Sequence, residues 1–158
     1  MKFSERVVSF WREFCAQNTQ VDPGEPFQAW FFSNTHESAK ELVELVLAGK
    51  KTATASLAAI NEIDSENAPV VGGYSVVTDF DGNPFCILQT VEVRQLPFES
   101  VDAAFAFDEG EGDQSLEYWR DCHWKYFSEE AAQMNIEFNE KSLITCERFK
   151  LLFPAVKK

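Results

Sequence analysis

Three polar residues in two short segments could carry chemistry in this chain. Lys51 and Thr54 lie in Gly49-Lys50-Lys51-Thr52-Ala53-Thr54, and Glu111 lies in Glu109-Gly110-Glu111-Gly112-Asp113. A threonine hydroxyl attacks a carbonyl carbon once a base has removed its proton. A lysine can be that base or can steady an oxyanion, and a glutamate can hold or relay the proton. Together they make a metal-free hydrolase set if the fold brings the basic turn to the acidic loop. Lys50, Ser56, Glu109 and Asp113 are placed to contact a ligand there, and Trp30, Trp119 or Trp124 could stack on a base.

The lysine's role meets an obstacle. A free lysine titrates at about 10.4 and must fall to about 8 to act as a base near neutrality, and a nearby ionised carboxylate opposes that fall. With Glu111 close, Lys51 reads better as a fixed cation than as a base. Plainer readings stand beside these. Gly-Lys-Lys after a helix can be a C-cap whose cations complement the helix dipole, Thr54 can be a β-branched strand residue, and the acidic loop can be a solvated turn. Cys122 and His123 are neighbours, but adjacent helical residues point in different directions, so His123 reads as packing.

The elements that must position these residues are legible as patterns. Ser4 caps a helix with Val7, Trp11, Phe14 and Cys15 on one face; Phe27–Phe32 reads as a short buried strand. Asn34 or Thr35 caps a second helix carrying Ala39, Leu42, Val43, Val46 and Leu47, which Gly49 stops. Leu57–Ile63 reads as a short helix. Gly72 and Gly73 open a strand through Tyr74, Val76 and Thr78, Asp81-Gly82 marks a hairpin, and Phe85–Leu96 returns. A short helical piece around Val101–Phe105 precedes the acidic loop. Ser115 then caps a long helix with Leu116, Trp119, His123 and Phe127 on one face, and Leu143–Phe153 is the last strand. The mixture predicts an α+β domain with a mostly antiparallel sheet or barrel surrounded by helices.

At 158 residues, with 45% hydrophobic residues including 15 Phe and 4 Trp, the chain can build one dense core. Its 26 Asp and Glu against 14 Lys and Arg give a net charge of -12, which disfavours broad duplex DNA binding while leaving room for a small basic cleft that holds a nucleoside or short single strand. Cys15, Cys86, Cys122 and Cys146 show no CxxC pair and no zinc spacing, so they read as reduced core residues, and no metal or cofactor is expected. No signal peptide or membrane span is expected either, which predicts a cytoplasmic protein.

The segment Gly49–Thr54 resembles the G-x-K-x-x-T core of the ASCH domain, a PUA-like β-barrel family, and sits after an amphipathic helix as it does there. Glu109–Asp113 followed by Ser115-Leu116-Glu117-Tyr118-Trp119-Arg120, and the closing Cys146-Glu147-Arg148-Phe149, are similar to the larger bacterial branch, so the likeness spans roughly residues 25 to 153. The resemblance implies an N-terminal helix and connection over residues 1–24, added to an ASCH domain over 25–158. It also implies a cleft for RNA or nucleosides, with N4-acetylcytidine amidohydrolase or ribonuclease activity known among members. Residue by residue, the amidohydrolase pattern places its lysine at Lys51, its threonine at Thr54 and its glutamate at Glu111, with Glu109 as rival. Where the family often continues T-x-R, this chain has Thr54-Ala55-Ser56, which removes a phosphate-binding cation and disfavours RNA cleavage. The alternative to a hydrolase is a non-catalytic module for single-stranded RNA.

Overall fold

The computed structural model describes residues 3–32 and 35–154. Helix α1 (Glu5–Gln17) starts at Ser4, whose hydroxyl accepts from the Val7 N–H and so satisfies one donor that every helix start leaves open. Its buried residues, Val7, Trp11, Phe14 and Cys15, are those of the apolar stripe. They pack on Phe27, Tyr74, Val76, Ile87 and Phe153, with Trp11 stacked on Phe27 at 4.6 Å and edge-on to Tyr74 at 5.4 Å.

The remaining elements are β1 (Phe27–Trp30), α2 (His36–Leu47), β2 (Ala53–Leu57), α3 (Ala58–Ile63), β3 (Tyr74–Thr78), β4 (Pro84–Pro97), α4 (Ala103–Glu109), α5 (Leu116–Gln133) and β5 (Leu143–Phe153). Thr35 caps α2 by accepting from the Ser38 N–H, while the rival cap Asn34 lies outside the described residues. Two expectations need correction. The first strand ends at Trp30 and is half-buried, because it forms an edge of the sheet with a neighbour on one side only. Glu109 is not a loop residue: it is the last residue of α4 and is buried.

The strands form one sheet in the order β1-β3-β4-β5-β2, in which β1 runs parallel to β3 and the other three pairings are antiparallel. At the β3–β4 hairpin the Asp79 carboxylate accepts from the N–H groups of Asp81 and Asn83, and Gly82 takes φ 83°. Strand alternation then covers both faces. Val76 and Ile87 meet α1, whereas Val77, Cys86 and Leu88 meet Val43 and Val46 of α2. A third apolar cluster docks α4 and α5, through Phe105, Trp119 and Phe127, onto Ala53 and Leu57 of β2 and Ile144 and Cys146 of β5.

The outer strands β1 and β2 both line one cleft of about 890 Å³. The sheet therefore curves back on itself in the manner of a barrel, while no ladder joins β1 to β2 among the described residues. None of the described helices is long and apolar enough to cross a membrane.

Candidate functional site

Helix α2 ends as its Gly predicts. Gly49 adopts φ 78°, and the N–H groups of Lys50 and Lys51 both reach back to the Leu45 carbonyl at 2.9 and 3.1 Å. The chain then turns into β2. Thr52 ties this turn to two other elements: its N–H donates to the Asp108 carbonyl at 2.8 Å, and its own carbonyl accepts from Phe149 N–H at 3.0 Å. The acidic segment reaches the turn because residue 110 is glycine. Gly110 sits at φ 73°, and a Cβ there would lie 2.6 Å from the Lys50 carbonyl oxygen and 3.0 Å from Lys51 Cα. Gly110→Ala combines left-handed strain with a backbone collision and is expected to cost about 2–4 kcal/mol; a urea midpoint within error of the parent would refute this close approach.

Between turn and loop lies a charge cluster. Lys51 is 1% exposed, and its Nζ donates to the Ala53 carbonyl at 2.8 Å, to Glu109 Oε1 at 3.0 Å and to Glu111 Oε2 at 2.9 Å. The Glu109 carbonyl lies further off at 3.3 Å. Three N–H bonds thus face four acceptors, and the ammonium is fully engaged. Glu109 Oε1 takes the lysine, and its Oε2 accepts from the Trp119 indole N–H and lies 3.1 Å from His123 Nε2. His123 Nδ1 is 2.9 Å from the Trp119 carbonyl, which can only accept, so Nδ1 carries a proton; Nε2, facing a carboxylate, carries another. Two cations and two carboxylates therefore balance.

The protonation states follow from this geometry. Burial alone would lower the Lys51 pKa, but Glu109 and Glu111 outweigh it and hold the ammonium above its ordinary range. Burial likewise works against Glu109, and Lys51 and His123 overcome it, so this carboxyl stays ionised well below the usual range. His123 is raised, since Glu109 prevails over the burial that would neutralise the ring. Glu111 goes the other way: burial and the neighbouring Glu109 charge raise its pKa against the pull of Lys51. Two carboxylates sharing one lysine are driven apart, one shifted toward its ionised form and the other toward its neutral form. Glu111 is also the more open of the two, with 16% of its side chain exposed against 1% for Glu109.

The cluster lines a small pocket of about 100 Å³, together with Thr54, Ala55, Phe32, Cys122 and Tyr126. Phe32, Thr54, Ala55 and Tyr126 also line the wide cleft, so the pocket forms its inner end. Trp30 and Ser56 line the wide cleft; Trp30 packs edge-on against Phe32 at 4.9 Å, and Ser56 accepts from the Asn61 amide at 3.0 Å. Lys50 and Asp113 stand exposed and line neither space, with Asp113 accepting from the Ser115 N–H at the head of α5. Of the tryptophans read as stacking candidates, Trp119 is buried against His123 and Trp124 packs on Phe98 and Phe138.

His123 was legible as a buried residue on the Trp119 face but not as a charged one, because its partner Glu109 comes from another element. Glu147, buried on β5 and lining the cleft, lay in the Cys146–Phe149 segment that carries the resemblance but had no role assigned to it. Glu109, Glu111 and His123 bring one ligand atom each within 4.8 Å of one another, a set that could hold a divalent cation. The Lys51 ammonium already stands on the same two carboxylates and supplies that positive charge itself.

The ASCH domain model matches residues 28–153, which spans β1 to β5 and every residue of the cluster. In three dimensions the chain is similar to an ASCH domain from Lactobacillus crispatus JV V101, at 32% identity and a TM-score of 0.85, covering 95% of this chain and 96% of that one. It is similar also to protein EF3133 from Enterococcus faecalis V583, at 31% identity and a TM-score of 0.82, covering 94% of this chain and 91% of that one. The hypothetical protein PH0355 shares the fold alone, at 14% identity and a TM-score of 0.55. Among curated proteins none matches. With its PUA-like sheet, its enclosing helices and its added N-terminal helix, this chain belongs to the ASCH domain family.

Proposed function

We propose that the cleft binds an uncharged pyrimidine nucleoside and that Lys51, Glu111 and Thr54 at its inner end hydrolyse the amide of an N4-acylated cytidine. The observation that carries this reading is the pair of unlike carboxylates on one buried ammonium, the more readily protonated member of which shares a pocket with a threonine hydroxyl. The walls favour a neutral ligand. Trp30, Phe31, Phe80 and Tyr126 offer aromatic surface, whereas the residues lining the wide cleft include Asp64, Glu130 and Glu147 and, among the described residues, no lysine or arginine. A phosphate strand would find no cation along those walls, and the lysine at the inner end is already neutralised by its two carboxylates.

In this reading Glu111 takes the proton from Thr54 Oγ1 as that oxygen bonds to the acyl carbon, and the carbonyl electron pair moves onto its oxygen. Protonation of Glu111 weakens its hold on Lys51 and frees one N–H for the oxyanion. Collapse breaks the C–N4 bond, N4 takes the proton from Glu111, and cytidine leaves. Water, deprotonated by Glu111, then releases the acid from Thr54 and restores both residues. Lys51 acts throughout as a cation, never as a base. Incubation with N4-acetylcytidine and with N4-acetylcytosine, followed by chromatography, is expected to show acetate and deacetylated product in equal amounts. Tight binding without release would leave recognition of single-stranded RNA or nucleosides as the role of the cleft.

A further inference from the structure

Inside the curved sheet lies a polar row of which the chemistry above uses Thr54 alone. Thr54 and Ser56 on β2 stand opposite Glu147 and Thr145 on β5, and opposed residues of an antiparallel pair project to the same face. Asn61 donates its amide to both Ser56 and Thr145 at 3.0 Å, so that half of the row is internally satisfied. Glu147 differs. It is 7% exposed, lines the cleft beside Thr54, and receives one hydrogen bond, from Thr90 Oγ1 to Oε2 at 2.5 Å. The adjacent cation Arg148 projects to the opposite face of the strand and is engaged by Asp108 and Glu92. No ion pair reaches Glu147 among the described residues, and its second oxygen is left for whatever fills the cleft.

We propose that Glu147 is the base-reading residue of the cleft, its Oε1 meeting the N3 edge of a cytosine-type ring held above Thr54. This rests on the cleft being a nucleoside site, and it adds what selects the base. Burial raises the Glu147 pKa against the opposing pull of the Thr90 hydrogen bond and of Lys51, and with no ion pair on it the carboxyl is shifted toward its protonated form. Thr90 donates to Oε2, so in the protonated form the proton belongs on Oε1 and makes that oxygen a donor. Cytosine presents a bare ring nitrogen at N3, which accepts it. Uracil presents N3–H, which would set donor against donor and leave both buried groups unpaired, the arrangement that discriminates most strongly between similar ligands. The row thus divides the work: Thr54 faces the acyl group at position 4, and Glu147, directly opposite it, faces the ring beside it.

Calorimetric titration of cytidine and uridine, neither of which carries an acyl group, into the wild type and into Glu147→Ala and Glu147→Gln decides this. Wild type is expected to prefer cytidine by about tenfold or more. Glu147→Ala should bring the ratio near one, and Glu147→Gln, which can accept from Thr90 and still donate, should keep most of it. Thermal unfolding of each variant identifies any that has lost its fold, and Glu147→Gln, nearly isosteric, is the one expected to retain it. An unchanged ratio in Glu147→Ala overturns the inference while the nucleoside reading stands. A ratio lost equally in Glu147→Gln shows the carboxylate accepting rather than donating and overturns it too. A wild type that binds neither nucleoside removes the cleft's proposed function and this inference with it.

Discussion

Lys51→Ala is expected to lower the stability of the protein by about 3–5 kcal/mol, a large part of the 5–15 kcal/mol that holds a domain of this size together. The reason is what remains behind. Glu109 is 1% exposed and would keep only Trp119 and His123 as partners, while Glu111 would face it without an intervening cation. The wild-type pair need not be strongly stabilising for this to hold, since removing one member of a buried pair strands the other. The double variant Lys51→Ala/Glu109→Gln relieves the stranded charge and is expected to be less destabilised than the sum of its parts. Urea unfolding of the four proteins in that cycle measures the coupling, and strict additivity would show that the cluster is not the buried unit described above. A loss of turnover in Lys51→Ala carries weight only beside that unfolding curve.

Glu111→Gln separates chemistry from stability. Glutamine still accepts from Lys51, and the side chain is the more open member of the pair, so the fold is expected to stay within about 1 kcal/mol of the parent. Hydrolysis of N4-acetylcytidine should nevertheless fall about 10²–10⁴-fold, the usual effect of removing a general base. The pH profile supplies the sign. A base works deprotonated, and Glu111 titrates above the ordinary glutamate range, so the wild-type rate should climb as pH rises through that elevated value and then level off. In Glu111→Gln the same limb should vanish. A variant that keeps its rate and its acid limb would assign the proton transfer to another group.

The sequence foretold the fold better than it foretold the site. Local signals sufficed for Ser4, Gly49 and Ser115, each of which starts or ends a helix where its own side chain or lack of one dictates, and left Thr35 level with Asn34 as the cap of α2. The approach of the basic turn to the acidic loop was a conjecture from residue type, and the structure brings Lys51 to both Glu109 and Glu111. Which glutamate does what was not legible. Their ranks depend on burial at the end of α4 and on Trp119 and His123, a turn of α5 that no spacing rule connects to them. Glu147 is the same lesson on a strand: it lies next to Arg148 in sequence, and the pleat sends the two to opposite faces.

The walls of the cleft, β1 and β2, are the two outer strands of the sheet and share no ladder among the described residues, and the chain between them runs through α2. Parting those walls would break no ladder among the described residues and would be resisted instead by the packing of α2 on Val77, Cys86 and Leu88. The domain has a seam where a closed barrel would have a weld. The charge cluster belongs to the β2 side of that seam, because α4 and α5 pack on Ala53 and Leu57 and Lys51 holds the Ala53 carbonyl, so it would travel with β2 as one body.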